Sequence, residues 1–212
     1  MRAVNCSFLK RSFFERDPLA CAESLIGREL IWNESGGVVV ETEAYSVNHD
    51  EACHTFMRPS AREFIAAHPA GTAYVYLNYG MYWLFNVLIK GGNEDGFVLI
   101  RAIEPTSGFD SMRVRRGAEK RDTALCSGPG KLARALGITG ADHGLDLCRS
   151  GSSRGFRGGL TDVRVITDVR VGISKAAHLP WRFLLAENPY VSVHAGRVKP
   201  FRRKSRTTLR DC

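Results

Sequence analysis

The sequence predicts an α+β fold: a single domain with a curved, mainly antiparallel β-sheet of hairpins and surrounding helices. Three observations carry this. Residues 28–45 and 82–103 each read as two β-rich segments joined by turn chemistry. The helical patterns stand apart from these hairpins instead of following each strand, as a parallel sheet would require. No internal repeat and no linker divides the 212 residues, a length that one domain accommodates. The expected division is a mobile N-terminal segment at 1–16, a folded domain at 17–196 and a basic tail at 197–212.

The elements follow in order. Asp17 and Pro18 suit the N-cap and first position of a helix whose Leu19, Ala22 and Leu25 share one face, and Gly27 stops it. RELIWN reads as a strand, ESGG as a turn and VVVETEAY as the next strand. Residues 46–71, with Pro59, Pro69 and Gly71, read as a long irregular connection, and such connections tend to be functional. TAYVYLNYGMYWLFNVLI reads as two short strands, or as one strand broken at Asn78–Gly80. KGGNEDG then turns the chain into the strand FVLIRAIEP. SGFDSMRVRRG reads as a basic helix, and SGPGKLARALG as a helix entered at Pro129 and ended at Gly137. Residues 139–160 read as loop; DVRVITDVRVGI, WRFLLA and YVSVHA read as the last strands.

Composition limits the function. No apolar run reaches the roughly 20 residues of a membrane span, and the N-terminus lacks the apolar core of a secretory signal. A cytoplasmic protein with no membrane partner is expected, at the nucleoid if the source is bacterial. The six cysteines form no CxxC pair, so reduced and mostly buried thiols are expected. Thirty Lys and Arg against 22 Asp and Glu give a formal charge of +8, which favours a polyanionic partner. Residues 197–212 hold seven basic residues against one Asp.

The chemistry concentrates in VVVETEAYSVNHDEACH. Strand alternation puts Val38, Val40, Thr42 and Ala44 on one face and Val39, Glu41, Glu43 and Tyr45 on the other. Alternating glutamates on a strand are ordinarily a solvated face. Valines on both faces instead imply a covered strand, and it runs into a long loop, where sites tend to sit. His49, Cys53 and His54 are zinc-type residues, but adjacent Cys53 and His54 have difficulty reaching one ion, and no second pair stands at ligand spacing. No metal and no cofactor is expected. Tyr74, Tyr76, Tyr79 and Tyr82 carry more hydroxyls than an apolar interior takes, since each buried one needs a partner. In a basic protein, exposed tyrosines are also platforms for bases.

The blocks VVVETEAY, DEACH, GTAYVYLNYGMYWLFNV, VLIRAIEP and CSGPGKLARALG, ending on the weaker VRVGI and PWRF, span roughly residues 17–194. In this order and spacing the chain resembles the alkyladenine (3-methyladenine, or N-methylpurine) DNA glycosylases. The resemblance implies a monofunctional, metal-independent enzyme. It would flip alkylated or deaminated purines out of duplex DNA and hydrolyse their N-glycosidic bond. By resemblance Glu43 is the base that activates water, Arg101 lies on the site floor beside it, and Leu99 supports them. Tyr45 and His54 match residues that sandwich the flipped base, with Tyr76 completing the stack, and His54 also hydrogen-bonds near the sugar and the base edge. Asn86 matches the residue that crowds a guanine-like amino group. Tyr79, with Met81 beside it, matches the side chain inserted where the base left.

These implied roles agree with the chemistry. A base in the stack must be extruded to react, and an inserted side chain fills the gap. Flat aromatics suit a methylated, often cationic purine. A carboxylate beside the anomeric carbon stabilises positive charge and takes a proton from water. The stretch TFMRPSAREFIAAHPAG departs from the family pattern, with Glu63 for Asn and Ala66–Ala67 for Met-Phe. The expected partner is double-stranded DNA with damaged purines, bound by a monomer, since the reaction needs no second subunit. The alternative is a catalytically inactive nucleic-acid-binding protein of the same fold; Glu43, Tyr45, His54 and Asn86 together argue against it, because binding alone needs none of them.

Overall fold

The computed structural model describes residues 7–117 and 121–198. Strands β1 (Glu29–Trp32), β2 (Ser35–Ser46), β3 (Ala73–Asn78), β4 (Tyr82–Ile89), β5 (Gly96–Ser107), β6 (Arg154–Arg157), β7 (Val165–Asp168) and β8 (Arg182–Leu185) form one sheet. Its main path is β3-β4-β5-β2-β1-β6, with β8 on β2 and β7 on β8. Every pairing is antiparallel. With helices α1 (Pro18–Leu25), α2 (His54–Met57), α3 (Pro59–Ala67), α4 (Phe109–Arg116), α5 (Asp122–Leu125) and α6 (Pro129–Leu136), the architecture is α+β, as the hairpin pattern predicts. Among the described residues, no helix is long and apolar enough to cross a membrane.

Burial of α1 and α6 on one side of the sheet makes the core. Cys21, Ala22 and Leu25 of α1 and Leu132, Ala133, Ala135 and Leu136 of α6 join Ala44, Phe85, Val87, Val98 and Ile100. Residues 7–16 also pack: Leu9 N donates to Phe156 O, and Phe14 is buried in this core. A smaller cluster holds α3 to the sheet through Ala61, Phe64 and Ile65 against Tyr74, Leu88 and Phe97.

Several elements differ from the sequence reading, each for a physical reason. The first hairpin turns at Asn33–Glu34, where Asn33 takes φ 55°, and not at ESGG. Gly36 and Gly37 lie within β2 because backbone approaches closely there; a Cβ on Gly37 would stand 2.2 Å from Glu104 O. Strict alternation along β2 fails at a bulge, where the register shifts between Val39 and Glu41. Val39 therefore shares the main core with Ala44, while Val40 packs with Ala102, Leu184 and Val191. β5 runs through Pro105 to Ser107, its proline paired with the side-chain-free Gly37.

The connection 46–71 is not irregular throughout. It contains α2 and α3, because Pro59 fits the first turn and Ala61, Phe64 and Ile65 fall on one helical face. Residues 139–160, expected as loop, contribute β6, which pairs with β1. YVSVHA is not a strand. Ser192 N donates to Glu41 Oε2 and Val193 O accepts from Arg182 Nη1, so side chains consume the groups a ladder would use. The basic tail lies, from residue 199 onward, outside the described residues.

Candidate active site

Pairing places the predicted residues on one face of the sheet. Tyr74 pairs with Asn86, Asn86 with Leu99, Leu99 with Glu43 and Glu43 with Arg182, a single row across β3, β4, β5, β2 and β8. Steps of two along each strand keep to the same face and add Tyr76, Arg101 and Tyr45. Helix α3 covers one end of this face, at Tyr74, Leu88 and Phe97. The face lines a cavity of about 820 Å³ whose wall includes Glu43, Tyr45, Tyr76, Asn86, Leu99 and Arg101.

Glu43 lies at the floor, fully buried. Its Oε1 accepts from Val171 N at 2.7 Å and lies 3.2 Å from Arg101 Nη1; its Oε2 accepts from the Tyr45 hydroxyl at 2.8 Å. Burial, then the nearby Glu43 charge, push the Tyr45 pKa upward, so its hydroxyl stays a donor. Burial works against charge on Arg101, but Glu43 and Glu41 together push its pKa up. The cation is thereby fixed.

A second buried carboxylate holds that arginine. Glu41 Oε1 accepts from Arg101 Nε at 2.8 Å, Arg182 Nη1 at 3.0 Å and Ser192 Oγ at 2.9 Å. Burial pushes the Glu41 pKa up, but Arg101 and Ser192 outweigh it and the net shift is down. Arg182 also pairs with Asp168 at 2.6 Å. Arg170 grips Asp50 through its two terminal guanidinium nitrogens, at 2.7 and 2.8 Å, and lies 4.6 Å over the Tyr45 ring. Carboxylates and guanidiniums thus alternate beneath the cavity. Removing one member would strand a buried charge, at a cost of about 3–5 kcal/mol.

The wall is aromatic. His54 opens α2, with its ring 4.2 Å from Tyr76 and its Nδ1 3.1 Å from the Tyr74 hydroxyl. Because His54 and Tyr76 touch edge to face, they form one wall and not two sides of a slot. Burial, reinforced by Arg58, lowers the His54 pKa to about 4, so the ring is neutral at pH 7. Asn86 is buried and donates through Nδ2 to Tyr74 O at 3.1 Å, which fixes its orientation. Tyr79, 73% exposed with φ 50°, and Met81, 67% exposed, stand at the β3–β4 turn; Tyr79 lines the cavity rim and Met81 flanks it.

Sequence reasoning missed Arg170, Arg182, Asp50, Ser192 and the Val171 amide. Their signal was present but faint: an arginine among apolar residues in DVRV and in WRFLL marks a buried cation that needs a carboxylate partner. Among the described residues, no cluster of three or more His, Cys, Asp or Glu could hold a metal ion.

Fold and cavity define a single-domain α+β protein whose site is a buried carboxylate, pinned by arginines, under an aromatic-walled opening. The family model described as methylpurine-DNA glycosylase (MPG) matches residues 12–189. A provisionally named 3-methyladenine DNA glycosylase of Rhodopseudomonas palustris (strain BisB18) is 46% identical over 193 residues, covering 91% of this chain and 92% of its own. Relatives with the same provisional name occur in Bradyrhizobium diazoefficiens, at 42% identity over 91% of this chain and 92% of the relative, and in Nitrosospira multiformis, at 41% over 89% and 93%. The chain belongs to the methylpurine-DNA glycosylase family.

Proposed function

We propose that this protein is a DNA repair glycosylase that flips alkylated or deaminated purines, of the 3-methyladenine, 7-methylguanine and hypoxanthine class, from duplex DNA and hydrolyses their N-glycosidic bond. The observation that carries this is the buried Glu43 carboxylate at the floor of an aromatic cavity. A carboxylate offers about four acceptor sites. Val171 N donates to Oε1, which also forms an ion pair with Arg101, and the Tyr45 hydroxyl takes one site of Oε2. One site on Oε2 is left for a water.

The flipped purine lies against the wall of His54 and Tyr76, with Tyr45 as the further aromatic contact. The bond from C1′ to the base breaks with its electron pair going to the purine. The water oxygen bonds to C1′ and its proton passes to Glu43. A methylated cationic purine leaves as a neutral base; hypoxanthine needs a proton to leave as well. Glu43 also stabilises positive charge growing on the sugar, and Arg101 holds Glu43 in place. Neutral His54 offers a hydrogen bond near the sugar without repelling a cationic base. Leu99 supports the floor, and Asn86, tied to the Tyr74 carbonyl, presents a fixed edge that crowds a 2-amino group. Tyr79, with Met81, fills the vacated position in the stack. The protein acts as a monomer and leaves an abasic site.

The test is direct. Duplexes carrying one hypoxanthine or 1,N6-ethenoadenine, and methylated DNA, are incubated with the protein with and without chelator. Free base should appear, with an abasic site that breaks only on alkali treatment, and chelator should not change the rate. Intact bases on every duplex would refute the reading. Strand cleavage without alkali would refute its hydrolytic form.

A further inference from the structure

We propose that Met57 is a second apolar insertion point against duplex DNA, on a different element from Tyr79. The inference rests on the glycosylase reading above and extends it to a contact that the resemblance does not supply. Met57 lies in the stretch where the chain departs from the pattern of its family.

The geometry of α2 sets the position. The helix is a single turn, His54–Met57. Residues three apart on a helix share a face, and both His54 and Met57 line the cavity. His54 is its wall, so Met57 stands one turn away at its rim, 75% exposed. Phe56 beside it is 43% exposed. Single exposed apolar side chains are common, but these two are adjacent, Met57 lines the cavity, and α2 is clamped. Thr55 is buried, Arg62 Nε donates to Thr55 O at 2.6 Å, and Arg58 N donates to His54 O at 2.8 Å. The Arg58 guanidinium rests 5.5 Å over the Tyr76 ring. Met57 is therefore presented on a fixed platform tied to the base-binding wall.

Charge identifies the occupant. Arg58, Arg116, Lys131 and Arg134 line the same cavity, with Lys175 paired to Glu51 at 3.0 Å beside them. A rim of cations with apolar points at Met57 and Tyr79 complements a nucleic-acid groove, where phosphates flank stacked bases. Met57 would press on the base step beside the extruded nucleotide, so that two side chains brace the opened duplex.

Binding to a duplex containing a tetrahydrofuran abasic analogue isolates this contact, since no base occupies the pocket. Titrations compare this duplex, the undamaged duplex and the single strand bearing the analogue. Met57→Ala should bind the analogue duplex about tenfold more weakly than wild type. It should match wild type on the other two, and Met57→Leu should restore affinity. Thermal melting confirms that each variant is folded. Wild-type affinity of Met57→Ala for the analogue duplex would overturn the assignment. So would an equal weakening on the single strand, which would make Met57 a wall contact. A wild-type protein with no preference for the analogue duplex would instead overturn the glycosylase reading, and the role of Met57 with it.

Discussion

At the scale of the residue, Glu43 is defined by what surrounds it. In the sequence it is one of two glutamates on a strand, and such residues are ordinarily solvated. Tyr45 is local, but the other groups that hold Glu43 and its neighbour Glu41 come from far along the chain. Arg101 is 60 residues from Glu41, Val171 is 128 from Glu43, and Arg182 is 141 from Glu41. No local pattern encodes those distances, which is why the resemblance could name Glu43 and Arg101 but not the arginine–carboxylate alternation beneath them. His54 shows the same dependence. Its ordinary pKa falls to about 4 because burial, and then Arg58, disfavour its cation. The unfolded chain therefore takes up this proton first. The stability held by neutral His54 is complete above about pH 6.5 and is lost as pH falls toward 4. His143, whose pKa burial also lowers, adds in the same direction. The melting temperature should fall between pH 6.5 and pH 4, and His54→Gln should make that fall shallower. A variant as steep as wild type would show that His54 titrates normally.

At the scale of the element, hairpins were the most legible feature, because β-rich runs and turn residues are local signals. What local signals could not show was why particular glycines stand where they do. Gly36 and Gly37 look like turn residues but lie in β2, at one register shift; another, between Val39 and Glu41, lets Glu41 and Glu43 face the site while Val39 stays in the core. A Cβ on Gly37 would meet Glu104 O at 2.2 Å and Pro105 Cα at 2.8 Å. Gly80, at the β3–β4 turn with φ 68°, has nothing within 4 Å. Gly37→Ala should therefore cost about 2–4 kcal/mol in urea denaturation, through strand separation. Gly80→Ala should cost about 1 kcal/mol, from the backbone conformation alone. Equal costs would contradict the close-approach account. The helices α2 and α3 were obscured for a related reason. Their prolines and polar residues suggest loop, and only the buried spacing of Ala61, Phe64 and Ile65 shows the helical face.

At the scale of the whole molecule, the sheet separates two tasks. One side buries α1 and α6 in the core, and the other bears the site. The surplus charge of +8 suits a polyanion, and Arg58, Arg116, Lys131 and Arg134 bring part of it to the site. Part of it sits in residues 197–212. Removal of these residues should weaken binding to undamaged duplex at low salt. It should also reduce the slope of log affinity against log salt by about 0.9 for each phosphate that the shortened chain no longer neutralises. An unchanged slope would make the tail a bystander.

The proposed chemistry as a whole turns on Glu43. Its most direct test is Glu43→Gln, which keeps the shape of the side chain but cannot take a proton from water. Single-turnover excision of hypoxanthine from duplex DNA is measured beside equilibrium binding to the same duplex. Binding should stay within a few-fold of wild type, and excision should slow by about a thousandfold or more. Base release by Glu43→Gln at the wild-type rate would contradict the role given to this carboxylate.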